Sequence, residues 1–185
     1  MRVVAQQWVS VDGYAAGPRG EQDIFAAVRP GADAASQRWN DRLLDEVDSV
    51  LLGRRSYGAF SQFWPTSDEP IAERVNRIDK VVFSRTLDAA PWGTYEPATI
   101  VADAVSHVRE RRRDGDDATL LLWGSLAVMH GLLAARELDE FDLFVAPVAL
   151  GAGTPLVPEG MTLQLTQVGQ EIWDGAAHLR YTIDR

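Results

Sequence analysis

Val50-Leu51-Leu52-Gly53-Arg54-Arg55-Ser56-Tyr57 is an apolar run that stops at Gly53 and passes at once into two guanidinium groups and a hydroxyl. A short apolar run bounded in this way reads as a buried strand whose carboxyl end opens onto a helix. Glycine lets the main chain approach a ligand closely, and the first N–H groups of a helix have no partner within it. With Arg54 and Ser56 beside them, such a junction favours phosphate. The same junction recurs at Val81-Val82-Phe83-Ser84-Arg85-Thr86 and at Leu120-Leu121-Leu122-Trp123-Gly124-Ser125. One of them alone reads equally well as a plain turn. Three together suggest one long, multiply charged ligand lying across strand ends.

Working outward, Val3 to Val11 reads as a first strand, and Asp12 to about Ala35 as a turn-rich stretch punctuated by Gly13, Gly17-Pro18, Gly20 and Pro30-Gly31. A connection of that length reads as a lid or binding loop. From Ser36 onward Trp39, Leu43 and Val47 recur every fourth residue, which predicts an amphipathic helix. Short helices are expected over 55–60 and 71–78, and strands over 80–83, 99–101 and 119–123. Asp103 is placed to cap a helix that turns Ala104, Val105 and Val108 inward. Leu126 to Ala135 is apolar nearly all round and predicts a buried helix. The tail alternates at 141–148, 162–170 and 177–184, which predicts antiparallel pairing. The expectation is one α/β domain over residues 1–185, with a mostly parallel sheet and antiparallel C-terminal strands.

The bulk numbers set bounds. A chain of 185 residues, 46% apolar, can bury one good core. It has no cysteine, which excludes disulfides, thiolate metal sites and a cysteine nucleophile. No apolar run is long enough for a transmembrane helix, and the first residues read as a strand rather than a signal peptide, so no membrane partner and a cytoplasmic location are expected. A formal charge of −9 argues against a nucleic-acid partner. Between Gly53 and Arg85, however, six cationic side chains (Arg54, Arg55, Arg74, Arg77, Lys80, Arg85) face four carboxylates (Asp68, Glu69, Glu73, Asp79). Arg109 to Arg113 are better read as a last helical turn ended by Gly115. His107, His130 and His178 lack metal-ligand spacing, so no metal is expected. Gly151-Ala152-Gly153 lacks the third glycine of the dinucleotide fingerprint and reads as a glycine-dependent loop. Ser56 and Ser125 lack a nucleophile-elbow context. At the end of the first strand, Ser10, Asp12 and Gly13 combine a hydroxyl, a carboxylate and a turn former, on the sheet edge where ligands bind in parallel α/β folds.

Seven motifs then occur in order: Val-Ser-Val-Asp-Gly (9–13), Leu-Leu-Gly-Arg-Arg-Ser-Tyr (51–57), Phe63-Trp64-Pro65, Val-Val-Phe-Ser-Arg-Thr (81–86), Trp-Gly-Ser-Leu (123–126), Leu-Asp-Glu-Phe-Asp-Leu (138–143) and Pro-Val-Ala-Leu-Gly-Ala-Gly (147–153). The series resembles the dihydrofolate reductase superfamily, in the branch of the C-terminal reductase domain of the bifunctional riboflavin-biosynthesis deaminase/reductase. The resemblance implies a three-layer α/β/α fold and NADPH as hydride donor to a pterin-like or aminopyrimidine-like molecule. Gly53, Arg54 and Ser56 would meet cofactor phosphates, Ser84 and Arg85 the 2′-phosphate, and Gly124, Ser125 and Leu126 the pyrophosphate. Asp12 and the loop after it would lie against the nicotinamide and substrate, and the C-terminal ribbon would pair two subunits. Asp12 is the candidate for orienting a proton donor, with holding a polar substrate edge or bracing the loop through Ser10 and Gly13 as the alternatives, and Ser10 and Trp64 are the candidate substrate contacts. There are departures. The deaminase's zinc-binding His and Cys set does not occur, no further clear site for a substrate phosphate is evident, and Asp41, Asp45 and Glu46 on the helix after the long loop have no distinguishing feature. A non-catalytic NADP(H)-binding dimer is the alternative reading.

Overall fold

Apolar and alternating runs become strands and the 3.6-residue periods become helices in the computed structural model, which describes residues 1–184. In chain order the elements are β1 (Arg2–Ser10), β2 (Tyr14–Ala16), α1 (Gln22–Phe25), α2 (Pro30–Leu43), β3 (Ser49–Gly53), α3 (Arg54–Phe63), a 3-10 turn (Trp64–Thr66), α4 (Ala72–Arg77) and β4 (Asp79–Phe83). There follow β5 (Thr99–Val101), α5 (Ala104–Arg113), β6 (Thr119–Trp123), α6 (Leu126–Ala134), β7 (Glu140–Ala146), β8 (Thr154–Pro155), β9 (Leu165–Trp173) and β10 (Ala176–Ile183).

Eight strands form one sheet in the order β5-β4-β3-β6-β1-β7-β10-β9, and β2 pairs with β8 in a separate ribbon. The strands from β5 to β7 run parallel, while β10 is antiparallel to both β7 and β9. Alternate residues serve opposite faces. Val3, Ala5, Leu51, Leu120 and Leu122 pack with Val108 of α5 and with Met129, Leu132 and Leu133 of α6. Val4, Val50, Leu52, Val82 and Leu121 pack with Leu43 of α2, Tyr57 of α3 and Val75 of α4. Each fully buried Leu or Val contributes about 1.5–3 kcal/mol, which makes these two layers the main favourable term. The result is the three-layer α/β/α arrangement with antiparallel C-terminal strands.

Several boundaries differ from the sequence reading. Helix α2 starts at Pro30, not Ser36: Arg29 is extended and Pro30 takes the first helical position, where a missing N–H costs nothing. The stretch from Asp12 to Ala35 therefore also holds β2 and α1. Val47 lies beyond the end of α2 yet is still buried. Helix α6 is covered on one side only, because its outer side carries just Ala127, Gly131 and Ala134. The strand expected over 162–170 sits at Leu165–Trp173 instead. Asp174 and Gly175, both at positive φ, form a two-residue hairpin turn that fixes Trp173 opposite Ala176.

Candidate functional site

Strands β4, β3, β6 and β1 are consecutive neighbours and parallel, so their carboxyl ends lie side by side. That single fact brings Ser84 and Arg85, Gly53 and Arg54, Gly124 and Ser125, and Ser10 and Asp12 onto one edge. At its centre, α3 and α6 converge. A Cβ built on Gly53 would stand 1.9 Å from Ser125 Oγ, and one on Gly124 would stand 3.3 Å from Ser56 Oγ. Gly124 and Ser125 both adopt positive φ, 75° and 70°, a conformation that spares glycine and strains serine. Neither helix has a side-chain cap at its N-terminus. Two sets of free N–H groups and two positive dipole ends therefore share one cradle, which suits an extended anion.

Beside the cradle, Arg54 Nη1 donates to Thr86 Oγ1 at 2.9 Å, and Ser84 Oγ accepts from the N–H groups of Thr86 and Leu87, each at 3.2 Å. Arg85 is exposed, and its charge adds to the Ser106 hydrogen bonds that lower the pKa of Asp103. The six cations counted in this region divide in two. Arg74 pairs with Asp41 and Asp45, and Arg77 with Glu73. Lys80 is buried, donates to the carbonyls of Asn76 and Ile78, and is pushed down to a pKa of about 8 by burial. Arg54, Arg55 and Arg85 are exposed, and no carboxylate among the described residues is within ion-pair distance of them. Half of the apparent basic cluster is thus engaged within the fold, and the other half follows the carboxyl ends of β3 and β4 without a carboxylate partner among the described residues. Asp41 and Asp45 are accounted for by Arg74, and Glu46 by Arg2 at 3.0 Å.

Ser10, 2% exposed, donates to Asp12 Oδ1 at 2.6 Å and accepts the N–H of Tyr14 at 2.9 Å. Asp12 also accepts the N–H of Leu150 at 3.1 Å and that of Gly151 at 2.7 Å. The Ser10 hydroxyl and those two amides hold its carboxyl at a pKa of about 2. The carboxylate is thus already engaged as an acceptor on three sides, which suits a brace. It braces the loop after β1 against the loop after β7. The brace continues where Leu156 N donates to Gly13 O at 2.9 Å, and where a Cβ on Gly153 would meet Ala16 O at 2.0 Å. His130 Nε2 lies 3.0 Å from Pro155 O and so ties α6 to the same loop.

Trp64 is a core residue, 6% exposed, stacked on Trp123 with ring centroids 5.8 Å apart. Phe60 meets both rings edge-on, and Phe63 is 51% exposed. The indole Nε1 of Trp64 is itself buried and has no hydrogen-bond partner among the described residues. Sequence reasoning missed Thr86, Leu150 and Gly151, and also the platform of Phe60 and Trp123. The spacing of Phe60 and Trp64 on one helical side signalled the platform, but nothing local signalled the amides that brace Asp12.

The chain matches the RibD C-terminal domain family over residues 2–175. It is 26% identical over 160 residues to the uncharacterized protein YyaP of Bacillus subtilis (strain 168), covering 84% of this chain and 79% of that protein. A putative riboflavin biosynthesis protein from Shewanella sp. PV-4 superposes with a TM-score of 0.74 at 21% identity, over 100% of both chains. A dihydrofolate reductase from Enterococcus faecalis, complexed with NADP(H) and RAB-propyl, superposes with a TM-score of 0.62 at 10% identity, over 100% of this chain and 97% of that one. At these identities the two structural likenesses are of fold.

Proposed function

The chain belongs to the RibD C-terminal domain family, and on that premise we propose that it is an NADPH-dependent reductase acting on a pterin-like or aminopyrimidine-like small molecule. The observation that carries this reading is the cradle: α3 and α6 meet so closely that a side chain at Gly53 would collide with Ser125. Its uncapped N–H groups suit a pyrophosphate, held by Gly53, Arg54, Ser56, Gly124, Ser125 and Leu126. One strand further out, Ser84 and Arg85 offer a hydroxyl and a guanidinium fork to a 2′-phosphate. When bound, the cofactor supplies the hydride. The chain's own contribution is to fix the cofactor's phosphates and, through Ser10 and Asp12, to set the two loops that border the reacting end and limit access of water.

A second reading, a non-catalytic NADP(H)-binding dimer, draws on Asp12, whose braced carboxylate leaves the edge without an identified proton donor. Fluorescence titration with NADPH tests the shared part, and loss of absorbance at the reduced nicotinamide band with a heterocyclic substrate separates the two. Failure to bind NADPH removes both. Self-association is proposed on separate grounds. Strand β9 is a long sheet edge on which Leu165, Val168 and Ile172 are 39%, 47% and 79% exposed, and pairing two copies would cover it.

A further inference from the structure

Helix α2 covers a part of the sheet that is charged where an apolar floor would be expected. Cross-strand partners share a face, and the register Val4–Glu140, Gln6–Asp142 and Asp142–Arg180 puts these side chains together on one face. A cavity of about 290 Å³ lies there, walled by Trp39 and Arg42 of α2 and by Arg2, Glu140 and Arg180 of the sheet. Arg2 and Glu140 begin β1 and β7, so the cavity is at the opposite end of the parallel strands from the cradle. Charge buried between layers is costly unless each group is paired. Two of the carboxylates are paired. Asp142 accepts from Gln6 Nε2 at 2.8 Å and from Trp39 Nε1 at 2.7 Å, and also pairs with His178. Glu46 takes Arg2 Nη2 at 3.0 Å. The guanidinium groups are less well served. Arg180 has no carboxylate within ion-pair distance among the described residues. Arg42 comes no nearer than 3.8 Å to Glu171, and Arg2 Nη1 no nearer than 3.8 Å to Glu140. Arg2 Nε is buried with no hydrogen-bond partner among the described residues.

We propose that this cavity is a second binding site, for a small oxyanion: the carboxylate or phosphate group of a compact metabolite, received by Arg180 and Arg42 beside Trp39, with Arg2 as a further donor. Two of the guanidinium groups are already positioned. Arg180 Cζ is 5.0 Å and Arg42 Cζ 5.4 Å from the centroid of the Trp39 ring. A ring face holds a guanidinium by its plane and leaves the N–H fork at its edge free to meet an anion. Gly169 of β9 stands opposite Arg180, and a Cβ there would come within 2.7 Å of Arg180 Nε. A side chain at 169 would therefore displace the guanidinium, and glycine leaves it room. With a formal charge of −9 the molecule as a whole repels anions, so one retained here is retained by specific contacts. The volume is at the lower end of ligand pockets, about 300 Å³, which suits a compact metabolite and not a dinucleotide. The site is independent of the cofactor cradle and of the reductase reading.

The test is calorimetry on the full chain at constant ionic strength, with malonate and with inorganic phosphate, each in the presence and absence of saturating NADP+. At least one anion is expected to bind with a Kd of about 1 mM or tighter, equally in both conditions. Preference for malonate marks a carboxylate ligand and preference for phosphate a phosphorylated one. Arg180→Gln should weaken the preferred anion at least tenfold. Gly169→Ala should weaken it as much while every charge is kept, because it moves the guanidinium alone; where Arg180→Gln fails to fold, this variant decides. Arg54→Ala and Arg85→Ala should leave the anion unaffected, which separates the cavity from the cradle without reliance on NADP+. No binding of either anion overturns the proposal, and so does undiminished binding by both Arg180→Gln and Gly169→Ala. Loss of the anion on adding NADP+, or in Arg54→Ala, would put it in the cradle and overturn the proposal equally.

Discussion

Asp12 and Arg85 sit on the same sheet edge and act through opposite charges. Asp12 has a folded pKa of about 2, below its ordinary value of 3.8. Its contribution is therefore complete above about pH 4 and is lost as pH falls through 2. Amide exchange at Leu150 and Gly151 should accelerate over that interval, and Asp12→Asn should accelerate it already at neutral pH while NADPH binding persists. Unchanged exchange at both amides would show that the brace contributes nothing. On the proposed 2′-phosphate assignment Arg85 would supply a charge-assisted contact worth about 1.5–3 kcal/mol, so Arg85→Ala should weaken NADPH roughly tenfold or more and leave NADH nearly unaffected. Equal affinities for the two cofactors in the unmodified protein would remove the 2′-phosphate assignment. Gly53, Ser84 and Gly124 were legible from sequence because each punctuates an apolar run within a few residues. A brace at Asp12 was legible only through its neighbours Ser10 and Gly13; its partners Leu150 and Gly151 were not, because they lie 138 and 139 positions away.

Strands Thr99–Val101 and Thr119–Trp123 fall where the sequence puts them, since a short apolar run closed by polar or glycine residues admits few alternatives. The start of α2 was hidden by Pro30-Gly31, a pair that marks a turn as readily as a helix N-terminus. The register of β9 depended on a signal that was present but outweighed, the Asp174-Gly175 dipeptide. The arginine run does close α5 ahead of Gly115 at positive φ, and Arg109, Arg111 and Arg112 further pair with Glu137, Asp116 and Asp139, contacts that sequence did not signal. The small ribbon of β2 and β8 was not foreseen, and it is where the two loops meet. Because a methyl group at Gly153 would overlap the Ala16 carbonyl, Gly153→Ala should part these strands. Limited proteolysis should then cut within 12–28 and 147–157 well before the rest of the chain, with the main thermal transition little changed. Equal resistance to that of the unmodified protein would mean that the ribbon does not hold the loops.

At the scale of the molecule, the exposed β9 edge predicts a dimer. Light scattering at micromolar concentration should give twice 20.4 kDa, and Ile172→Glu should return a monomer. A monomer in the unmodified protein would refute the proposal. Stability should also depend on alkaline pH through Lys80, whose pKa falls on folding from 10.5 to about 8. The unfolded chain binds more protons than the folded one between those values, so the free energy of unfolding should rise from pH 8 toward 10.5. Denaturant midpoints across that range should show the rise, and Lys80→Met should flatten it. The order of strands has a consequence for how the molecule comes into being. In the main sheet β1 pairs, among the described residues, with β6 and β7 alone, so during synthesis it waits for residues 119–146 before it has a neighbour. Strands β3, β4 and β5 can meanwhile zip together locally, leaving two separate fragments of sheet. Segment 119–126 then slots between them, completing both the sheet and the meeting of α3 with α6. Such late, long-range closure makes folding slow and leaves raw strand edges open to other nascent chains until it happens.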